Sequence, residues 1–155
     1  MSKTFTTPKG TVLPLLNLKG KDYLQVAHRL VWFNETFEHF DISTRILNQN
    51  PEQDGYTLAE SIITIFEHTE DKKSAIVRKV NGYKMEHKAH FSDHVEKATT
   101  GSIGRALALI GIGTQFAEPD LDEGTRIVDA PLNIPKKSST SSFRKSTATS
   151  NEDFA

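Results

Sequence analysis

Lys97, Gly101 and Arg105 stand four residues apart in a stretch whose apolar positions Val95, Ala98, Ile103, Ala106, Leu107 and Ile110 recur at helical spacing. On a helix they form one stripe, two cations with a bare glycine between them. Gly101 and Gly104 each cost roughly 1 kcal/mol against alanine in a helix interior, so they mark a place where another group comes close to the backbone. A phosphate chain fits such a stripe, and so does a tightly packed neighbouring helix. Ser92 or Asp93 is the expected cap, with Glu96 completing a capping-box-like start after Asp93.

The cations just upstream suit the same chemistry. Asn81-Gly82, the preferred pair for a type I′ turn, is flanked by the alternating runs 75–80 and 83–89, and this predicts a β-hairpin. With Val80 opposite Tyr83, one face carries Ile76, Arg78, Val80, Tyr83, Met85 and His87, and the other carries Lys79, Lys84, Glu86 and Lys88. Lys79 and Lys84 then repel one another across the hairpin, and a phosphate between them relieves the repulsion. The alternative is a lysine-rich edge that resists pairing with other strands. The candidate polyanion-binding residues are Arg78, Lys79, Tyr83, Lys84, Lys88, Lys97 and Arg105, with Gly101 and Gly104 as close-approach positions. Stacking of a base on an aromatic ring is worth roughly 1 to 3 kcal/mol, and Tyr83 beside Lys84 is the best-placed exposed ring. Tyr23, Trp32, Phe33, Tyr56 and Phe91 are expected mainly in the core.

Other chemistries find less support. His87, His90 and His94 lie near Asp93, but His87 and His90 are an odd number of residues apart and point to opposite faces of a strand, so no metal site is expected. Gly101-Ser-Ile-Gly104 matches the short Gly-x-x-Gly of KH domains without the flanking order those domains have. Glu35, Glu38 and Asp41 lack the spacing of a nuclease metal site, and no nucleophile elbow, zinc-protease pair or phosphate loop is present. The chain is therefore expected to be no enzyme and to need no cofactor. Without cysteine it has neither disulfides nor thiol chemistry. No apolar run reaches membrane-spanning length, and no signal-peptide core is found at the N-terminus, which leads to the expectation of a cytoplasmic protein.

The elements that must position these residues fit one domain within 155 residues of net charge −1. Residues 1–17, limited by Pro8 and Pro14, are expected to form an arm. An amphipathic helix is expected over residues 21–37 from the spacing of Tyr23, Val26, Ala27, Leu30, Val31 and Phe37. Strands are expected within 40–50, where Ile42 and Ile46 bracket polar residues, and within 56–67, from Ile62, Ile63, Ile65 and Phe66. A turn-rich loop over 50–55 separates them. The fold class is then α+β: a small antiparallel sheet of three to four strands with a β-hairpin, packed by an N-terminal and a C-terminal helix. Residues 118–155, acidic and then rich in Ser and Thr, are expected to be a disordered tail, whose acidic-aromatic end suits either solubility or peptide docking. Charge is segregated along the chain. Residues 35–71 hold nine acids and one base, and residues 72–105 hold eight bases and three acids. A concentrated basic segment is the usual footprint of a polyanion partner, although the two halves could also neutralise one another within or between subunits.

Residues 18–33, Leu-Lys-Gly-Lys-Asp-Tyr-Leu-Gln-Val-Ala-His-Arg-Leu-Val-Trp-Phe, and residues 96–117, Glu-Lys-Ala-Thr-Thr-Gly-Ser-Ile-Gly-Arg-Ala-Leu-Ala-Leu-Ile-Gly-Ile-Gly-Thr-Gln-Phe-Ala, resemble phage single-strand annealing recombination proteins of the Erf and Sak types. More distantly they are similar to the eukaryotic annealing protein of double-strand break repair. The resemblance spans about residues 18–117, the expected core domain. It implies a helix, a three-stranded antiparallel sheet and a second helix, assembly into homo-oligomeric rings or filaments, and single-stranded DNA held in a basic groove. The implied function is ATP-independent single-strand binding and annealing in phage homologous recombination, in the host cytoplasm. A host or phage single-strand-binding protein or recombinase is a candidate further partner. This chain departs from the pattern in being short, nearly neutral and without a large basic C-terminal region. The rival function is a non-annealing phage replication accessory or host-protein-binding module.

Overall fold

The computed structural model describes residues 3–68 and 74–117. Its centre is the strand β6 (Tyr56–His68), flanked by β5 (Phe40–Ile46) and β7 (Ser74–His87) in an antiparallel sheet of order β5-β6-β7. The β-branched run Ile62-Ile-Thr-Ile65 suits a central strand because such side chains pack well on a pleated surface. Alternation sends Thr57, Ala59, Ser61, Ile63 and Ile65 to one face, and all five are buried. That face is covered by α1 (Val26–Thr36) and α3 (His94–Ile110). Val26, Phe33, Ile63, Ile65, Ala106, Leu107, Ile110 and Ile112 form the shared core. Helix α3 ends in a Schellman closure: Gly111, at φ 97°, donates to the Ala108 carbonyl and Ile112 to that of Leu107, both at 3.0 Å.

The α+β class, with two helices packing a small antiparallel sheet, follows the sequence expectation; the expected hairpin pair is one continuous strand, so the sheet has three strands, and several other local features also differ. Within the expected arm, residues 4–14 form a two-stranded ribbon despite Pro8 and Pro14. Its strands β1 (Thr4–Thr6) and β2 (Val12–Pro14) are antiparallel. Phe5 packs at 4.8 Å on the Trp32 ring and at 5.2 Å on Phe116, and the Thr7 and Thr11 hydroxyls both donate to the Glu35 carboxylate. A second ribbon pairs β3 (Leu16–Leu18) with β4 (Lys21–Tyr23). It consumes residues expected to open the first helix, which starts only after Gln25. Residues 51–54 of the expected loop form a one-turn helix, α2 (Pro51–Asp54), closed by Gly55.

The largest departure is at Asn81-Gly82, which does not turn. Both residues lie inside β7, with Asn81 opposite Ile62 and Gly82 opposite Ser61. The hairpin joins β6 to β7 instead, and residues 69–73 between them lie outside the described residues, as does the tail, residues 118–155. The two-residue turn with both φ values positive is at Lys19 (52°) and Gly20 (87°), between β3 and β4. Gly82 has a packing role. A Cβ built on it would sit 2.3 Å from the Ser102 carbonyl oxygen and 2.4 Å from the Ala106 nitrogen, so β7 passes directly beneath the backbone of α3. A single bulge between Ile65 and Phe66 skips Val77 on β7.

Candidate nucleic-acid interface

The contact at Gly82 lays α3 along β7 and builds a seam between them. Ser102, buried, exchanges a 2.6 Å hydrogen bond with Ser61 of the central strand. On the outer flank, the Lys84 side chain lies over Gly101, where an added Cβ would meet Lys84 Cγ at 2.8 Å. The bare middle of the Lys97–Gly101–Arg105 stripe is thus filled by a lysine stem from the neighbouring strand. Arg105 Nη1 donates to the Tyr83 carbonyl at 3.0 Å, and Arg78 Nη1 donates to that of Ile110 at 3.1 Å. Lys97 lies 3.5 Å from Asp93 and 4.6 Å from the centre of the Phe91 ring. Four expected cations, Arg78, Lys84, Lys97 and Arg105, therefore converge on one seam. From Lys97 to Arg105 it runs roughly 12 Å at the rise of an α-helix.

The other expected residues go elsewhere. Because β7 continues straight through Asn81-Gly82, parity separates Lys79 from Lys84 instead of pairing them. Lys84 and Glu86 face the helix side, 3.3 Å apart, whereas Lys79, Tyr83, Met85 and His87 face outward. Lys88 lies past the strand end and pairs with Glu52 of α2. Gly104 is buried, and its carbonyl accepts from Arg29 Nη1 at 3.1 Å. Below the seam, a groove of about 610 Å³ is lined by Tyr23, Phe91, Lys84 and Lys97, together with Glu86 and Asp93. Its charge is mixed.

His94 opens α3 fully buried, its Nδ1 at 2.7 Å from the Thr57 hydroxyl and its Nε2 at 3.3 Å from Glu52. His87 and His90 rings are 5.7 Å apart. Among the described residues, no three His, Asp or Glu side chains gather as a metal would require, and no helix is long and apolar enough to cross a membrane.

Two polar centres were missed in the sequence. Arg29 is completely buried: its Nε donates to the Leu24 carbonyl at 3.0 Å, and its stem packs against Gly113. The signal was its place on the core stripe, between Val26 and Phe33. The second is Glu60, on the outward parity of β6 yet only 2% exposed. It accepts from Tyr83 Oη at 2.6 Å, Arg45 Nε at 2.5 Å and Asn81 Nδ2 at 2.8 Å. The Tyr83 phenol first, and Arg45 second, hold its carboxyl below the ordinary value of 4.5. Glu35 beside Thr11 and Thr7, and Glu52 beside Lys88, are shifted the same way.

A group depressed in the folded state adds stability above its unfolded value, and that stability is lost as pH falls through the lower folded value. The thermal midpoint is therefore expected to hold steady from neutral pH down to about pH 5 and to fall steeply toward pH 3. Glu60→Gln should melt lower at neutral pH and show a shallower acid slope. Parallel acid slopes in the two proteins, followed by circular dichroism, would remove Glu60 from this account.

No family model, no curated protein and no solved structure matches the chain. The class that the fold itself defines is α+β: one three-stranded antiparallel sheet with helices on one face and the other face open.

Proposed function

We propose that the protein binds single-stranded DNA through its phosphates along the α3–β7 seam and, without ATP, promotes pairing of complementary strands in phage recombination. The observation that carries this reading is the convergence of Lys84, Lys97 and Arg105, with Arg78 at the far end, from two elements onto one flank. The order α1, β5-β6-β7, α3 is also the plan that the resemblance to annealing proteins implies. Self-assembly into a ring or filament is part of the proposal. β5 and β7 each keep one edge without a partner strand among the described residues, and the acidic half of the chain complements the basic half of a neighbour.

The double substitution Lys84→Glu with Arg105→Glu is the direct test, read by oligonucleotide anisotropy and an annealing assay. Affinity for single strands is expected to drop at least about ten-fold at about 50 mM salt, and the slope of log K against log salt to flatten by about 1.4, at roughly 0.7 per lost contact. Unchanged affinity in a folded double variant would rule out the seam. Light scattering with and without an oligonucleotide tests assembly.

Leu109, 59% exposed, continues the same stripe, and Glu86 and Asp93 lie beside its lysines. These features favour a second reading, a protein-binding module without annealing. Absence of single-strand binding at low salt would select it.

A further inference from the structure

The helix-free face of the sheet carries a cross-strand row that the seam does not use: Arg45 on β5, Glu60 on β6 and Tyr83 on β7 stand directly opposite one another. The middle member is a buried carboxylate, and both flanking side chains are exposed, Tyr83 at 46% and the Arg45 side chain at 68%. Glu60 Oε1 takes the Tyr83 phenol and the Asn81 amide, and Oε2 takes Arg45 Nε. The ring is tethered through its hydroxyl, and the guanidinium through Nε, so its two terminal nitrogens have no partner among the described residues. An aromatic ring and a cation are thus held in fixed places on an open surface by one carboxylate.

We propose that this row is a base-stacking site for single-stranded DNA, with the Tyr83 ring receiving a base, Arg45 meeting a flanking phosphate, and Glu60 and Asn81 as positioning residues. The site rests on the single-strand-binding reading above and adds a contact to bases where the seam offers contact to phosphates. Three observations select this occupant. Tyr83 belongs to both surfaces: its carbonyl holds Arg105 of the seam at 3.0 Å while its side chain lies on the open face, so a strand crossing the β7 edge there meets both. The backbones of Arg45 and Tyr83 are two strands apart, roughly 10 Å at ordinary strand spacing, but their side chains converge on one carboxylate, which sets a guanidinium beside the ring where the phosphate next to a stacked base would lie. Lys79, exposed on the same face of β7 as Tyr83, puts a second cation along the strand that carries the ring, although its own cross-strand row ends in the exposed Asp41 on β5. Stacking of this kind tolerates any base, because every base has a π-face.

The test compares an oligothymidylate with an abasic oligomer of the same backbone and length, using the full chain and fluorescence anisotropy. The wild type is expected to prefer the thymidylate about ten-fold, the size of one stacked base. Tyr83→Ala should bring the ratio close to one while retaining seam-driven binding of the abasic strand. Tyr83→Phe keeps the ring but frees it from Glu60, and Glu60→Gln weakens the tether; both should retain an intermediate ratio, with thermal midpoints recorded alongside. Arg45→Ala should weaken both oligomers by a similar factor. A thymidylate preference unchanged in folded Tyr83→Ala and Tyr83→Phe overturns the stacking site alone, as does a wild type that binds both oligomers equally. Failure of the wild type to bind either oligomer overturns single-strand binding altogether, and this site with it.

Discussion

Gly82→Ala is expected to lower the unfolding free energy by about 3 kcal/mol or more, the range of severe overpacking. Alanine in a strand interior is ordinarily favoured over glycine by roughly 0.5 to 1 kcal/mol, so the sign depends on what the new methyl meets. It meets main chain: the Ser102 carbonyl oxygen at 2.3 Å and the Ala106 nitrogen at 2.4 Å. Relief would require lifting α3 off β7, which opens the core around Leu107 and Ile110 and breaks the Ser61–Ser102 hydrogen bond. Gly101→Ala supplies the contrast. There the methyl meets Lys84 Cγ at 2.8 Å, the stem of a flexible side chain, and the helix gains up to about 1 kcal/mol from alanine. Because Cγ is the near part of the stem, the Lys84 side chain must rotate aside, so that variant is expected to lose clearly less stability than Gly82→Ala but not to gain any. Urea unfolding of the two variants side by side decides the matter, and a Gly82→Ala protein as stable as the wild type would mean that β7 does not touch the α3 backbone.

Arg29→Met is the second large effect, with an expected loss of about 2 to 4 kcal/mol. Methionine preserves much of the stem that packs against Gly113, but it removes the donors to the Leu24 and Gly104 carbonyls. Stranding a buried acceptor costs roughly 1 to 3 kcal/mol, and the charge itself offers little in return. Burial works against the guanidinium and lowers its pKa, with the Tyr23 side chain opposing that shift. Arg29 ties the entrance of α1 to the middle of α3, so the loss should also reach the seam. An Arg29→Met variant that melts with the wild type would show that those carbonyls find other partners.

Much of the element list was legible locally. The run around Ile62 and Ile63 and the apolar period from Val95 to Ile110 each announce their structure within one window, because strand and helix periods are properties of neighbouring residues. The seam cations were legible as a set for the same reason, as a concentration of positive charge. Their grouping was not. Asn81-Gly82 carries the strongest turn signal in its neighbourhood, but turn chemistry there competes with a ladder that pairs β7 with nearly the whole of β6. Losing the turn changes the parity of everything that follows it, which moved Lys84 and Glu86 to the helix side and Tyr83 to the open side. Residues 21–23 fit a helical period through Tyr23 and Val26, and the pairing of Leu16 with Tyr23 across the ribbon outweighs that preference.

The sequence by itself determined the α+β class, a strand within residues 56–67, the helix from Val95 to Ile110 and the segregation of acids from bases, since each follows from composition or short-range period. Only the tertiary structure decided which glycine makes the close approach, that Lys84 fills the gap at Gly101, and that Arg45, Glu60 and Tyr83 form one row. Those facts depend on strand register and on how a helix is set across a sheet. Register is a long-range choice, settled by the packing of a whole face at once and not by any residue's neighbours.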